Sequence, residues 1–168
     1  QKSQDLVLEM LLADLPEQGY KWLEDAAAAP HGELSQWARM RDVRVRPQLA
    51  ALRREAMPAD LSHPAMAVNL DACIHCNRCE RACRDLQVND VIGLAFRGAH
   101  TQVVFDLADP MGGSSCVGCG ECVQACPTGA LMPKSHIGAQ KVDREVDSVC
   151  PFCGVGCLVT YQVKDEKI

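Results

Sequence analysis

The stretch that decides the fold is Cys73-Ile-His-Cys-Asn-Arg-Cys-Glu-Arg-Ala-Cys83, together with its echo Cys116-Val-Gly-Cys-Gly-Glu-Cys-Val-Gln-Ala-Cys-Pro127. Both read C-x2-C-x2-C-x3-C, and the second copy adds a proline. A third burst, Cys150-Pro-Phe-Cys-Gly-Val-Gly-Cys157, has the different pattern C-x2-C-x3-C. These three bursts hold all 11 cysteines of the 168-residue chain. A secreted disulfide scaffold spreads an even set of cysteines along its length, whereas metal ligands cluster so that one tight loop presents several thiolates to one point. Reduced thiolates suit the cytoplasm, where glutathione and thioredoxin oppose disulfides, so a cytoplasmic location is expected.

Three thiolates on one loop can grip three corners of a cubane iron–sulfur cluster, while the fourth, three residues on, begins a helix and points elsewhere. In bacterial two-cluster ferredoxins that last cysteine serves the other cluster. The spacing therefore predicts one [4Fe–4S] cluster on Cys73, Cys76, Cys79 and Cys126, and a second on Cys116, Cys119, Cys122 and Cys83. Zinc is the competing occupant, but it usually takes two C-x2-C pairs a dozen or more residues apart, and a third cysteine so soon after the second fits it poorly. The small residues Gly118, Gly120, Ala125 and Gly129 let the backbone pass close enough for its N–H groups to reach cluster sulfur. Cys150, Cys153 and Cys157 have no fourth cysteine after them. A three-ligand zinc site or a three-iron cluster is conceivable there, and a fourth ligand beyond Ile168 is the simpler reading.

No histidine ligand is expected. Thiolates fill the coordination around His75, and His31, His63, His100 and His136 have no metal-like spacing. Arg78, Arg81 and Arg84, interleaved with Glu80 and Asp85, read as a solvated helical face; the functional alternative is that they offset cluster charge or meet an acidic partner. No Ser–His–Asp order, phosphate-cradling glycine loop or H-E-x-x-H occurs, so no catalytic residue is assigned and electrons are the expected cargo.

Outward from the cysteines, the composition is ordinary: 48% hydrophobic, 23% charged, with a net charge of -5. That balance argues against wholesale disorder and against a strongly basic nucleic-acid face. No apolar run approaches the roughly 18 residues of a membrane span. The first residue is Gln1 rather than Met, which suggests a piece cut from a longer protein. Residues 1–62 read as a helical lead-in. A first helix carries Leu6, Met10 and Leu11 with Val7 and Leu8 up to Pro16; a second runs from Tyr20 to Ala29 and stops at Pro30. Glu33 to Met40 is a third, and Pro47 opens a fourth from Gln48 to Met57, with Trp22 and Trp37 assigned to the core. Residues 63–141 form the two-cluster domain. In it Ala67 to Leu70 is a strand, Val91 to Phe96 and Gln102 to Phe105 form a β-hairpin, and Asp109 to Ser115 is a loop. Residues 142–168 begin a further cluster subdomain after a polar link from Lys134 to Ser148. Its strand-like Leu158 to Val163 lacks a visible partner, so a mobile tail with an exposed edge is expected. The fold class is α+β, a helical lead-in followed by a two-[4Fe–4S] ferredoxin-like domain with a hairpin insertion.

The run Asp71 to Cys83, Arg97-Gly98 on the hairpin, Cys119-Gly-Glu-Cys122 and Cys126-Pro-Thr-Gly-Ala-Leu131 resemble the two-cluster domain of three related proteins. These are the large iron–sulfur subunit of respiratory complex I, iron-only hydrogenases, and the α subunit of NAD-dependent molybdenum formate dehydrogenases. Cys150 to Cys157 resembles the start of the iron–sulfur subdomain of molybdopterin-guanine-dinucleotide oxidoreductases, and the combination most resembles the formate dehydrogenase α subunit. The resemblance covers residues 63 to 168 and, more weakly, the helix Leu6 to Leu12. In relatives that helix precedes a His and three Cys holding another cluster; here Leu15-Pro16 stands near the expected His and no Cys precedes Cys73, so that cluster is expected to be absent. The resemblance implies formate oxidation at molybdenum or tungsten, a row of clusters with a third [4Fe–4S] on Cys150, Cys153, Cys157 and a downstream Cys, and a flavin subunit passing electrons to NAD. The implied partners are a downstream molybdopterin domain and that flavin/NAD-binding subunit, with no nucleic acid and no membrane span. The competing class is an independent ferredoxin-like carrier, or a small electron-transfer subunit of another molybdopterin oxidoreductase or hydrogenase; a free carrier would have no use for the third motif.

Overall fold

The computed structural model describes residues 2–15, 33–137 and 142–168. Contacts between Cα atoms divide the chain into two units, Gln1–Gly138 and Ala139–Ile168. In the first, two short antiparallel pairings organise the cysteine repeats. Strand β1 (Met66–Val68), just before the first burst, pairs with β4 (Leu131–Pro133), just after the second. The ends of the cysteine-bearing segment are thereby clamped together. Strands β2 (Ile92–Ala95) and β3 (Gln102–Phe105) pair in register Ile92↔Phe105 to Ala95↔Gln102, joined through a single 3-10 turn at Gly98–His100. Ile92, Val103 and Phe105 are buried from this hairpin, while Leu94 is largely exposed. They meet Met66, Val68, Val91, Met111, Ala130 and Leu131, and the sulfur-bearing side chains of Cys73, Cys83 and Cys122 belong to the same buried cluster.

The lead-in differs from its sequence reading in three ways, each with a physical reason. Helix α1 (Lys2–Asp14) buries Glu9 and Ala13, while Leu6, Val7 and Met10 remain substantially exposed. The Glu9 carboxylate is accommodated because its Oε1 accepts both the backbone N–H of Arg46 at 2.8 Å and its Nε at 2.7 Å. Helix α2 (Glu33–Met40) buries Leu34 and Ala38, one turn apart, and turns Trp37 outward to 51% exposure beside Val7 and Leu8. The assignment of Trp37 to the core is therefore corrected. The expected helix Gln48 to Met57 is instead a 3-10 segment, Pro47–Leu52, followed by extended chain. Pro58 disfavours helical geometry at Met57, and the Met57 N–H is taken by Asp71 Oδ1 at 2.7 Å rather than by a helical carbonyl. The second expected helix, with Pro16, Trp22, Pro30 and His31, lies outside the described residues.

The expected loop Asp109 to Ser115 contains a 3-10 turn, Met111–Gly113, pinned to the segment before β1. Asp60 Oδ2 accepts the Met111 N–H at 2.7 Å, and Ser62 Oγ accepts the Gly112 N–H at 2.8 Å. Gly112 fits so closely that an added Cβ would stand 2.5 Å from the backbone carbon and oxygen of Ser62.

The second unit is a hairpin of β5 (Arg144–Val149) and β6 (Leu158–Val163), paired from Arg144↔Val163 to Val149↔Leu158. This corrects the expectation of an unpartnered strand. The partner lies inside the stretch read as a polar link, where Arg144, Glu145 and Asp147 mask the strand signal of Val146 and Val149. The charged residues are used across the ladder: Thr160 Oγ1 donates to Asp147 at 2.8 Å, and Arg144 pairs with Glu166 at 2.9 Å. Among the described residues no helix is long and apolar enough to cross a membrane.

Two outcomes follow from the Asp60–Gly112 lock. Gly112→Ala should lower the thermal midpoint by an amount equivalent to about 1–3 kcal/mol, the usual cost of forcing an extra carbon into close packing. Burial acts upward on Asp60, but hydrogen bonds from the Ser62 side chain and from the Met111 and Ser62 N–H groups outweigh it and hold the carboxyl below its ordinary value of 3.8. The stabilisation is therefore complete above that value and is lost as pH falls below it. Thermal unfolding followed down to about pH 3 should show a shallower acid loss in Asp60→Asn than in the unaltered chain.

Candidate iron–sulfur cluster sites

The sequence repeat is also a backbone repeat. Two residues after the first cysteine of each quartet, His75 (φ 53°) and Gly118 (φ 72°) are left-handed; one residue after the second cysteine, Asn77 (φ 60°) and Gly120 (φ 79°) are left-handed too. These bends fold each loop around a point, and in each copy the N–H of the first left-handed residue turns back onto the first sulfur. His75 N–H donates to Cys73 Sγ and Gly118 N–H to Cys116 Sγ, both at 3.4 Å. Asn77 and Gly120 then cap short helices, α3 (Arg78–Arg81) and α4 (Glu121–Ala125), which carry the third cysteines, Cys79 and Cys122, in their first turns. The fourth cysteines differ. Cys83 continues in a π-type turn, Ala82–Leu86, whereas Cys126 leaves α4 in an extended conformation before Pro127.

The loops and helices line two voids that open to solvent at their mouths. Cys73, Cys76, Cys79 and Cys126 line the first, with Ile74, Val103 and Leu131 among its apolar walls. Cys83, Cys116, Cys119 and Cys122 line the second, with Met66, Ile92 and Phe105. The thiols' influence on one another follows the same partition. Burial first, then the charges of Cys73, Cys126 and Cys76, pushes the Cys79 thiol up to about 12. Burial first, then Cys116, Cys119 and Cys83, pushes Cys122 up to about 12 as well. Cys73 is raised mainly by burial, partly offset by the His75 N–H and by Arg54.

Among the described residues no three His, Cys, Asp or Glu side chains converge closely enough for a single metal ion. Four thiols stand instead around each void, an arrangement that suits a polynuclear cluster better than zinc. Polar groups reach three more of the sulfurs: the Val91 N–H donates to Cys83 Sγ at 3.4 Å, Asn89 Nδ2 lies 3.9 Å from Cys119 Sγ, and the Thr128 hydroxyl lies 3.7 Å from Cys126 Sγ.

The third group sits on the turn of the β5–β6 hairpin. The Cys150 N–H donates to the Cys157 carbonyl at 2.8 Å, closing an eight-residue loop, and Gly154 (φ 76°) and Gly156 (φ 80°) supply its left-handed bends. Cys153 and Cys157 are exposed and Cys150 half-buried.

Several residues that shape the sites carry no motif signal. His63 is buried, its Nδ1 accepts the N–H groups of Ala65 and Met66 at 3.1 and 3.2 Å, and its ring edge faces Gly118. Arg54 reaches the first loop from the lead-in, its Nη2 donating to the Cys73 carbonyl at 2.6 Å. Of the interleaved charges, Arg84 pairs with Glu80 and Asp85 on α3 and its following turn, while Arg78 bridges to Glu33 on α2 at 2.8 Å. His75 lines the first void, and burial, then Arg54, lowers its tendency to protonate.

Comparison with known proteins locates two family matches in this chain. Residues 72–130 match the family described as a 4Fe-4S dicluster domain, and residues 143–168 match the molybdopterin oxidoreductase Fe4S4 domain. Proteins provisionally named formate dehydrogenases are similar, one from Staphylococcus haemolyticus at 28% identity over 58% of this chain and one from Staphylococcus aureus at 29% over 57%. The chain spans 14% of the length of these curated relatives. In fold it is similar to a chain of an NAD+-reducing [NiFe]-hydrogenase in the H2-reduced state, with a TM-score of 0.67 and 19% identity over 84% of this chain and 58% of that one. Together these matches support an iron–sulfur region of the molybdopterin oxidoreductase kind, with [4Fe–4S] domains in a mixed α and β fold.

Proposed function

We propose that this chain is the electron-transfer segment of a larger formate-oxidising molybdopterin enzyme, carrying electrons from the molybdopterin site toward a flavin partner that reduces NAD. The observation that carries the reading is the division of eight thiols from two sequence quartets into two crossed sets around two voids. In this reading Cys73, Cys76, Cys79 and Cys126 hold one [4Fe–4S] cluster, and Cys116, Cys119, Cys122 and Cys83 hold the other. Cys150, Cys153 and Cys157 contribute to a third, together with one further ligand. When bound, such a cluster takes up and releases one electron at a time. The chain's residues supply the rest: Met66, Val103, Phe105 and Leu131 exclude water from the buried side, and the N–H groups of His75, Gly118 and Val91 face sulfur. The exposed Cys76 and Cys119 mark the edges that a partner can approach. The names of the relatives support formate as substrate, and the hydrogenase neighbour supports an NAD-linked partner.

Iron and acid-labile sulfide should each approach about eight per chain for the two quartets, after subtraction of whatever the third motif retains. Stoichiometric zinc in a colourless protein would end the proposal. The crossing has its own test by resolved redox titration. Cys83→Ser should perturb the cluster of Cys116, Cys119 and Cys122 more than the one adjacent in sequence, and Cys126→Ser should do the reverse; each quartet keeping its own cluster would contradict the assignment.

A further inference from the structure

The two cysteine repeats share spacing, loop conformation and N–H···S contacts, yet their surroundings differ in charge. Arg54 lies 19 residues before Cys73, in the extended chain that follows the 3-10 segment. Its side chain is only 16% exposed. Two of its nitrogens are engaged: Nη2 donates to the Cys73 carbonyl at 2.6 Å, Nε donates to the Asp14 carbonyl at 3.3 Å, and Nε pairs with Asp14 Oδ2 at 2.8 Å. A guanidinium can satisfy these acceptors together because its donors are fixed in one plane.

We propose that Arg54 makes the two sites electrically unequal, raising the reduction potential of the cluster held by Cys73, Cys76, Cys79 and Cys126. The proposal rests on the cluster reading above. Reduction adds one negative charge to a site already surrounded by thiolates, and a fixed cation stabilises the reduced form more than the oxidised one. Asp14 does not cancel this charge. Its carboxylate is 41% exposed and the Arg54 side chain 16%, so water screens the carboxylate more than the guanidinium. The second loop starts on a neutral partner instead, the Cys116 N–H donating to Ser114 Oγ at 3.4 Å, and among the described residues no acidic or basic side chain lines the second void, whereas Arg54, although it does not line the first, holds the carbonyl of a residue that does.

The test is a one-electron redox titration with dithionite as reductant, followed by electron paramagnetic resonance. It uses the chain with Cys150, Cys153 and Cys157 replaced by serine, so that two clusters remain, and Cys76→Ser and Cys119→Ser assign the two waves. Arg54→Gln should shift the first-site wave to more negative potential by roughly tenfold in the reduction equilibrium, about 59 mV, and leave the second wave in place. Arg54→Lys should retain most of the original potential. Asp14→Asn, at an exposed carboxylate, should move the first wave in the opposite direction, and it stands as the deciding variant if Arg54→Gln loses iron. Unchanged waves, a common shift of both, or equal effects of Gln and Lys would overturn the proposal. Absence of any iron–sulfur signal in the unaltered chain would overturn the cluster reading itself.

Discussion

Everything in the first unit depends on thiols that have been taken out of water. Cys73, Cys83 and Cys122 are buried, and their side chains belong to a cluster made mainly of methyl and methylene groups. Burying one thiolate in such surroundings is unfavourable, and gathering several at one void multiplies the penalty through their mutual repulsion. The chain can close its core around protonated thiols with a hole at the centre, or around thiolates with compensating positive charge. Cluster binding and folding are then one equilibrium. This also accounts for a core with so few aromatic side chains: space that rings would otherwise occupy is reserved as void, and Phe105 is the aromatic in the main buried cluster.

The β-hairpin inserted between the repeats follows from the same constraint. If the fourth cysteine of each copy faces the other copy's void, the two halves must lie side by side, and something apolar must fill the seam. Val91 and Ile92 enter the core shortly after the turn Ala82–Leu86 that carries Cys83, and Val103 and Phe105 return from the other strand. Val103 borders the first void, and Ile92 and Phe105 border the second, so one hairpin supplies a wall to both. The β1–β4 ladder closes the opposite end. Its three residue pairs are too few to be independently stable, but they join segments on either side of both quartets and so gain from every contact between them.

Much of this was legible because cysteine spacing is a strong local constraint. Where the thiols gather, the hairpin, the strand before Cys73 and helix α2 are all carried by short-range pattern. What the pattern missed is long-range or ambiguous. Helix α1 is apolar on so broad a face that periodicity does not choose a buried side, and Arg46, 37 residues away, chooses it by taking Glu9 inside. Trp37 reads as core by size alone, yet α2 is short and its buried stripe is satisfied by Leu34 and Ala38. The helix proposed after Pro47 fails because Met57 and Arg54 have better partners in Asp71 and Cys73, at the entry to the first cysteine loop. Strand β5 hid behind its charges, which a two-stranded hairpin open on its faces readily tolerates.

The repeat supplies ligands, and segments outside it supply difference. The first loop is backed by the lead-in: Arg54 holds the Cys73 carbonyl, Leu34 donates its N–H to Pro127, and Glu33 pairs with Arg78. The second is backed by other groups, with the His63 ring against Gly118, Asn89 near Cys119 and Met111 in the same buried cluster. Two identical ligand sets in identical surroundings would have equal potentials and would give an electron no preferred side. Sequence motifs carry the thiols, where geometry demands fixed spacing, but they are blind to the groups packed around them, where any cation or amide that the fold delivers will serve. An electron-transfer unit built from a duplicated motif must therefore acquire its direction from the parts that were not duplicated.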